Sequence, residues 1–555
     1  MKKRIFGSVH TFLEPGAVFG RTVASESFFR ALLSVDPFDE YRFFLYDPKV
    51  MDKALPDLDL AALKRGAVKV YPKQKLVSDI TESEFFCFHM ADPFMAQTGL
   101  VFLRNRFSSN IFPITCVPHT LSYSSYAQDF LHELWPGISS RDALLATSNA
   151  AVHVLEAYYQ QLRTHYRLPD DYKQPTLRLL PLGVDLNRFT PPSGEERQKA
   201  REHYHLLPEE ICCLVHGRIT VDDKMDLLPL LYAAKRVLQE ENPPQLHLIF
   251  SGKNRENDSY PKVLEATAKA AGITLSFSFS PTNEELTTLY HAADIFLSPS
   301  DNLQETFGLT ILEAAASSLP CIASDWDGYR DLVRHGETGL LIPTLAPRDT
   351  PFLNDIAYFV PDNIHQLLRA QQTVVDVPGL AHALSMLARN ETMRREMGEH
   401  ARRLVEENYS WETIVARWVA LIEELNELPL STEEEHRIRT ARHPSYLDIA
   451  KIFARHPSRL LDTDSPETDT VLLTARGTDV LRGKEAAVTW PGTQLCFKQV
   501  QLRKMLTLAR RPITLTQLAS RMTDVDNDKE SVQFVLLWAL KHDLLERCES
   551  SSLPS

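Results

Sequence analysis

The chain has 555 residues, 44% hydrophobic and 24% charged, with a formal net charge of −13. This length exceeds one ordinary core and implies two or three domains, and the composition excludes a disordered or low-complexity protein. The negative balance works against binding phosphate polymers or anionic lipid over the whole surface, so any anion site must be local.

The N-terminus, MKKRIFGSVHTFLEPG, is basic but lacks the apolar run of a signal peptide, and no later stretch approaches the about 18 uninterrupted apolar residues of a membrane span. Seven cysteines without C-x-x-C spacing read as reduced, mostly buried thiols. A cytoplasmic protein with no integral membrane segment is expected.

Up to about residue 185, short apolar runs such as KRIFGSVH, YRFFLY and NIFPITCVPH alternate with helical stretches such as TVASESFFRALL. That alternation predicts a parallel α/β domain. LLPLGVDLNRFTP, residues 179–191, reads as the exit from it, which puts the first domain at 1–190. A second series follows, with CCLVHGR, LHLIFSG, LSFSFS, IFLSPS, CIAS and GLLIP separated by helices. These six runs predict a second Rossmann-like domain over 191–425, closed by long amphipathic helices. Residues 426–445 are charged without a clear apolar period and read as a linker. Residues 446–555 end in helix, helix, loop, helix and a terminal apolar pair, which suggests a small winged-helix-like domain. A plain helical appendage is the alternative. Its third helix carries Lys529, Glu530, Gln533 and Lys541 after a turn with Asp524, Asp526 and Asp528, a charge pattern that argues against reading DNA.

Two such α/β domains place a ligand cleft at the carboxyl ends of their strands. After IFLSPS comes the loop DNLQETFG and then the helix LTILEAAASS. Its N-terminus, with Phe307, Gly308 and Leu309, offers backbone N–H groups to a diphosphate, and Gly308 allows close backbone approach. Glu305 and Glu313, eight residues apart, face such a ligand from two heights. As bare charges they also fit an ordinary helix-dipole arrangement.

The segment ETFGLTILEA resembles the E-x(7)-E motif of the retaining family 4 glycosyltransferases, the GT-B group that includes glycogen and sucrose synthase relatives. The likeness continues through SPSDNLQETFGLTILEAAASSLPCIASDWDGYRDLVRHGETGLLIP, and more weakly through LPLGVDLNRF and VHGRITVDDK. It implies a GT-B fold of two Rossmann-like domains facing a cleft, over about residues 1–425. It also implies a metal-independent, hexosyltransferase-type transfer with retention from a nucleotide sugar, which serves as co-substrate, with no cofactor.

On this resemblance Arg218 and Lys224 neutralise the departing diphosphate, Glu313 accepts from the ribose, and Glu305 grips the transferred sugar. His119 lines the acceptor side, and Gly16 and Gly20 in EPGAVFGRTVASESFF bring backbone N–H groups from the first domain. The nucleotide base is expected near Ser251 to Asn254 and Phe279 to Thr282. The acceptor is open among saccharide, small molecule, lipid and peptide. No metal is implied: the D-x-D triplets at Asp57, Asp462 and Asp524 do not end an apolar strand of the donor region.

This chain departs from the family pattern at Phe19 and Ser318, where a glycine is usual, in the longer spacing from Arg218 to Lys224, and at Met225. It also carries an extra stretch over 345–375 that either contacts the acceptor or decorates the surface. The rival reading is a nucleotide-sugar-binding regulatory or scaffold protein whose C-terminal module recruits a protein or peptide partner. A phosphorylase or epimerase of the same fold is a third.

Overall fold

The computed structural model describes residues 3–13, 20–54, 60–92, 97–255, 258–461, 470–490, 492–493, 496–522 and 529–548. Gly16, Asp57, Asp462, Asp524, Asp526 and Asp528 lie outside the described residues.

The first domain is a seven-stranded parallel sheet: β1 (Ile5–Ser8), β2 (Glu40–Leu45), β3 (Val68–Pro72), β4 (Cys87–Met90), β5 (Ile114–Cys116), β6 (Ala143–Ala146) and β7 (Thr176–Leu179), in the order β3-β2-β1-β4-β5-β6-β7. The second is a six-stranded parallel sheet: β8 (Ile211–His216), β9 (Leu246–Gly252), β10 (Thr274–Phe279), β11 (Ile295–Ser298), β12 (Cys321–Ser324) and β13 (Gly339–Ile342), ordered β10-β9-β8-β11-β12-β13. Helices on both faces bury these strands, so β9, β11 and β12 run apolar or small with hardly a break. In each sheet the strand order reverses once, between β1 and β4 and between β8 and β11. Such a reversal opens a crevice at the carboxyl ends of the two strands.

The chain crosses between the domains twice. After β7 it leaves through 180–186, and it returns at 409–411, where the Val184 N–H donates to the Tyr409 carbonyl at 2.8 Å. The helix Trp411–Glu427, expected to close the second domain, packs on the first. Trp418 is fully buried there among Phe6, Phe28 and Phe38, with ring centroids 5.5 to 6.1 Å away. An amphipathic period shows that a helix packs, not which core receives it.

Residues 426–445 are not a free linker. The helix Thr432–Thr440 docks on the first domain through one buried apolar residue, Ile438, and through arginine. The Arg437 guanidinium donates to the carbonyls of Pro136 and Ile138, and Arg439 to those of Asn105, Ser108 and Ser109. Arginine bonds to helix and turn carbonyls leave no apolar period in the sequence.

The extra stretch forms a two-stranded antiparallel pair, β14 (Thr344–Leu345) with β15 (Val374–Val375), and between them the helices Pro351–Ile356 and Asp362–Ala370. Asp362 Oδ1 accepts from the Ser124 N–H at 3.0 Å, and Gln366 Nε2 donates to Ser122 Oγ at 3.1 Å. The same helix reaches the second domain, where Asn363 Nδ2 donates to Asp222 Oδ2 at 2.9 Å.

Residues 446–555 form a separate compact unit. The helices Gln499–Leu508, Leu515–Met522 and Lys529–Lys541 pack on an antiparallel sheet of β16 (Thr470–Leu473), β17 (Ile513–Thr514) and β18 (Leu545–Cys548), ordered β17-β16-β18. Its central strand, β16, comes from ahead of the first of those helices. Five cysteines are buried, Cys496 is exposed and Cys548 partly so, and all seven are free thiols. Among the described residues no helix is long and apolar enough to cross a membrane.

Candidate active site

The crevice between β8 and β11 receives the loop after each strand. The loop after β8 carries Arg218, Asp222, Asp223 and Lys224, and the loop after β11 carries Asp301 to Phe307. Gly308 caps the helix Leu309–Ala316 with φ +111°, a backbone setting that favours glycine. A Cβ there would stand 2.6 Å from the Tyr329 ring. Phe307 is buried beneath the loop, and Leu309 is the first residue of the helix.

Glu305 is the centre of this arrangement. Lys224 Nζ donates to its Oε2 at 2.5 Å, the Tyr329 hydroxyl donates to the same oxygen at 3.1 Å, and the Phe307 N–H reaches Oε1 at 3.4 Å. Burial pushes the Glu305 carboxyl up, but the Lys224 charge and these hydrogen bonds outweigh it and hold the group below the ordinary glutamate value. It is a fixed anion. Tyr329 is itself fully buried and anchored against Ser298 Oγ at 2.7 Å.

Glu313 sits in a different environment. Its Oε2 accepts from the Tyr290 hydroxyl at 2.8 Å, and burial pushes its carboxyl up to about 7 despite that bond and the charges of Arg188 and Lys224. The two glutamates therefore differ in protonation near neutrality: one charged, the other balanced between acid and carboxylate.

Arg218 donates to Asp223 Oδ2 at 2.6 Å and to Gln304 Oε1 at 3.2 Å, which ties the two loops together. Arg255 bridges Asp222 and Asp223. Arg218 and Arg255 are thus both held by acidic partners of the loop after β8.

The facing domain grips the Glu305 loop from across the cleft. The Thr306 hydroxyl donates to the His119 carbonyl at 2.9 Å, the Thr147 hydroxyl donates to the Thr306 carbonyl at 3.1 Å, and Gln304 Nε2 donates to the Tyr123 hydroxyl at 3.1 Å. The His119 ring lies 3.4 Å from Ser25 Oγ, and burial with the Arg21 and His10 charges lowers it to about 3, so it is neutral. Gly20 begins the helix Gly20–Val35 and is exposed.

The structure thus joins Glu305, Lys224, Phe307 and Gly308 directly, with Arg218 one side chain away through Gln304 and His119 against Thr306. Tyr329, Tyr290 and the Asp223 and Arg255 counterions have no part in the sequence motif. The two tyrosines meet the glutamates from 23 and 24 residues away and Arg255 reaches Asp222 and Asp223 from the loop after β9, distances that short-range spacing does not encode, whereas Asp223 pairs with Arg218 within one loop.

Residues 210–351, which contain both loops and both glutamates, match the family described as glycosyl transferases, group 1. The chain carries a group 1 glycosyl transferase domain. Its relatives include the D-inositol 3-phosphate glycosyltransferase of Rhodococcus erythropolis, 36% identical over 29% of this chain and 35% of that protein. The corresponding enzyme of Corynebacterium urealyticum is 27% identical over 56% of this chain and 61% of that protein. The mannosylfructose-phosphate synthase of Agrobacterium fabrum is 29% identical over 38% and 43%. The chain therefore spans between 35% and 61% of the length of these relatives.

Among solved structures, Anabaena Alr3699/HepE in complex with UDP and glucose superposes with a TM-score of 0.52 at 15% identity, covering 76% of this chain and 100% of that one. Sucrose-phosphate synthase from Thermosynechococcus elongatus gives 0.51 at 19% identity, covering 76% and 99%. The fold is GT-B, and the matched residues 210–351 lie in its second Rossmann-like half.

Proposed function

We propose that this chain transfers a sugar from a nucleoside diphosphate sugar to an acceptor, with retention at the anomeric carbon and without a metal ion. The observation that carries the reading is the state of Glu305. It is a carboxylate held ionised by Lys224 and Tyr329, beside a helix N-terminus and on a loop that the facing domain clamps.

The chemistry follows from charge. A helix N-terminus, Arg218 and Lys224 suit a diphosphate whose negative charge grows as it leaves, and preorganised donors of this kind lower the barrier electrostatically. Lys224 would turn from Glu305 toward the phosphate, and Arg218 from Asp223. Glu305 accepts hydroxyls of the sugar and faces the positive charge that develops at its anomeric carbon. Glu313, balanced near neutrality, can accept from or donate to the ribose hydroxyls. Phe279, exposed and stacked at 5.2 Å on Phe277, offers a ring edge to the base beyond β10. Neutral His119 marks the acceptor side. Free thiols and five buried cysteines fit a reducing compartment, and we assign the activity to the cytoplasm. The C-terminal unit is assigned a peptide or protein partner. Unchanged turnover of the natural acceptor after deletion of residues 446–555 refutes that assignment.

The test of the transferase reading is hydrolysis of a panel of nucleotide sugars by the wild type and by Glu305→Ala. Turnover by the wild type and at least a hundredfold loss in the variant is expected. Absence of both binding and turnover across the panel overturns the reading, and binding without turnover on any acceptor favours a regulatory role.

A further inference from the structure

Asp327, on the loop after β12, has no role in the reading above, yet its placement is costly in two independent ways. Its backbone is left-handed, with φ +46°, a region that a non-glycine residue seldom occupies without a reason. Its Oδ2 is shut off from solvent and has no hydrogen-bond partner among the described residues. A buried, unpaired carboxyl oxygen loses its hydration and gains nothing in return.

The flanking residues show where Asp327 sits. Trp326, one residue earlier, donates its indole N–H to the Asn302 carbonyl at 3.2 Å. Gly328, one residue later, lies so close to the Glu305 loop that a Cβ would stand 2.7 Å from Phe307 Cα and 2.9 Å from the Thr306 carbonyl. Asp327 therefore sits between two residues fixed against the loop of Glu305, after the carboxyl end of β12 where ligands of this fold bind, and its carboxyl is near enough for the Glu305 charge to act on it. Burial and the neighbouring Glu305 charge together push it up to about 7, so near neutrality it donates or accepts with similar ease.

On the transferase reading, we propose that Asp327 is a specificity-determining residue: its Oδ2 finds its missing partner in a hydroxyl of the transferred sugar, beside the hydroxyls held by Glu305. A polyhydroxylated pyranose supplies what the site lacks, a neutral group that both donates and accepts. The diphosphate does not, since an anion beside two carboxyls is repelled. The left-handed backbone serves this purpose by turning the side chain inward from a loop that a glycine would traverse without strain.

The experiment compares the wild type, Asp327→Gly and Asp327→Ser in calorimetric binding of UDP-glucose, UDP-galactose, UDP-N-acetylglucosamine and GDP-mannose, and of UDP and GDP alone. Glycine removes the carboxyl and relieves the backbone, and serine keeps a Cβ while withdrawing the oxygen. The expected result is about a tenfold loss of affinity for the preferred nucleotide sugar, the scale of one lost hydrogen bond to an ionisable group, with affinity for the bare nucleotide unchanged. Melting temperature should hold or rise in Asp327→Gly, which a purely structural role would not allow. Equal affinities for the sugar donor in wild type and both variants overturn the inference while leaving the transferase reading intact. So does a parallel loss for the bare nucleotide. Failure of the wild type to bind any of these nucleotide sugars overturns the transferase reading, and this inference with it.

Discussion

Lys224→Met tests the electrostatic logic of the site without reference to any substrate. The change removes the ammonium 2.5 Å from Glu305 Oε2 and leaves a side chain only 11% exposed, facing the Tyr329 phenol and the Phe307 N–H. Removing one partner of a buried ion pair costs about 3–5 kcal/mol. Tyr329 remains as a donor and the cleft wets both side chains slightly, so the low end, about 3 kcal/mol near pH 7, is expected. The pH dependence gives the sign. In the wild type the folded Glu305 value lies below its ordinary 4.5, so its stabilisation is present above 4.5 and is lost as pH falls through the folded value. Without Lys224, burial becomes the leading influence and the folded value rises above the unfolded one. The variant then loses stability as pH rises from about 4.5, and the gap from wild type widens toward neutrality. Urea unfolding across that range, followed by tryptophan fluorescence, measures it. In a Glu305→Gln background the cost of Lys224→Met should fall below about 1 kcal/mol, because no charge is stranded. A pH-independent gap, or an undiminished cost in the Glu305→Gln background, refutes the reasoning.

Tyr290→Phe removes the hydroxyl 2.8 Å from Glu313 and should weaken nucleoside diphosphate binding about fivefold, the scale of one modest hydrogen bond; calorimetry showing no change counts against a ribose role for Glu313. Glu133, buried against the Tyr159 hydroxyl, is pushed up to about 8, so its contribution is full below 4.5 and falls as pH rises toward 8. Glu133→Gln should therefore gain on the wild type by about 3 kcal/mol between about pH 4 and pH 7 in urea titrations. Arg104 and Asp142 are both fully buried, and Arg104→Met should cost about 3–5 kcal/mol of unfolding free energy; a cost under about 1 kcal/mol would show that the pair is not what holds that corner. Asp362→Ala releases the Ser124 N–H, and hydrogen exchange at Ser124 should speed up at least fivefold, while an unchanged rate shows that the inserted helix does not restrain the loop.

The residues that sequence can find are those whose chemistry is local. Glu305, Gly308 and Glu313 lie on one strand-loop-helix unit, so their spacing carries the geometry, and the six apolar runs of the second domain map onto its six strands. Tyr329 and Tyr290 meet the glutamates from positions 24 and 23 residues away, and nothing near them in the chain distinguishes them from core tyrosines. The inserted helix is legible as an addition, but not as a bridge, because its contacts are single side chains: Asp362, Asn363 and Gln366. Asp327 stays hidden for the opposite reason, since what marks it is a partner it lacks.

The paired crossings near Val184 and Tyr409 have a mechanical consequence. Two covalent strands laid side by side and pinned by a hydrogen bond, with the Trp411 indole seated on Gly183, act as a single hinge pin. Because the chain passes between the two domains only here, any rotation of one on the other would have to pivot at this pair, and the line through Val184 and Tyr409 fixes the axis about which Glu305 and His119 would separate.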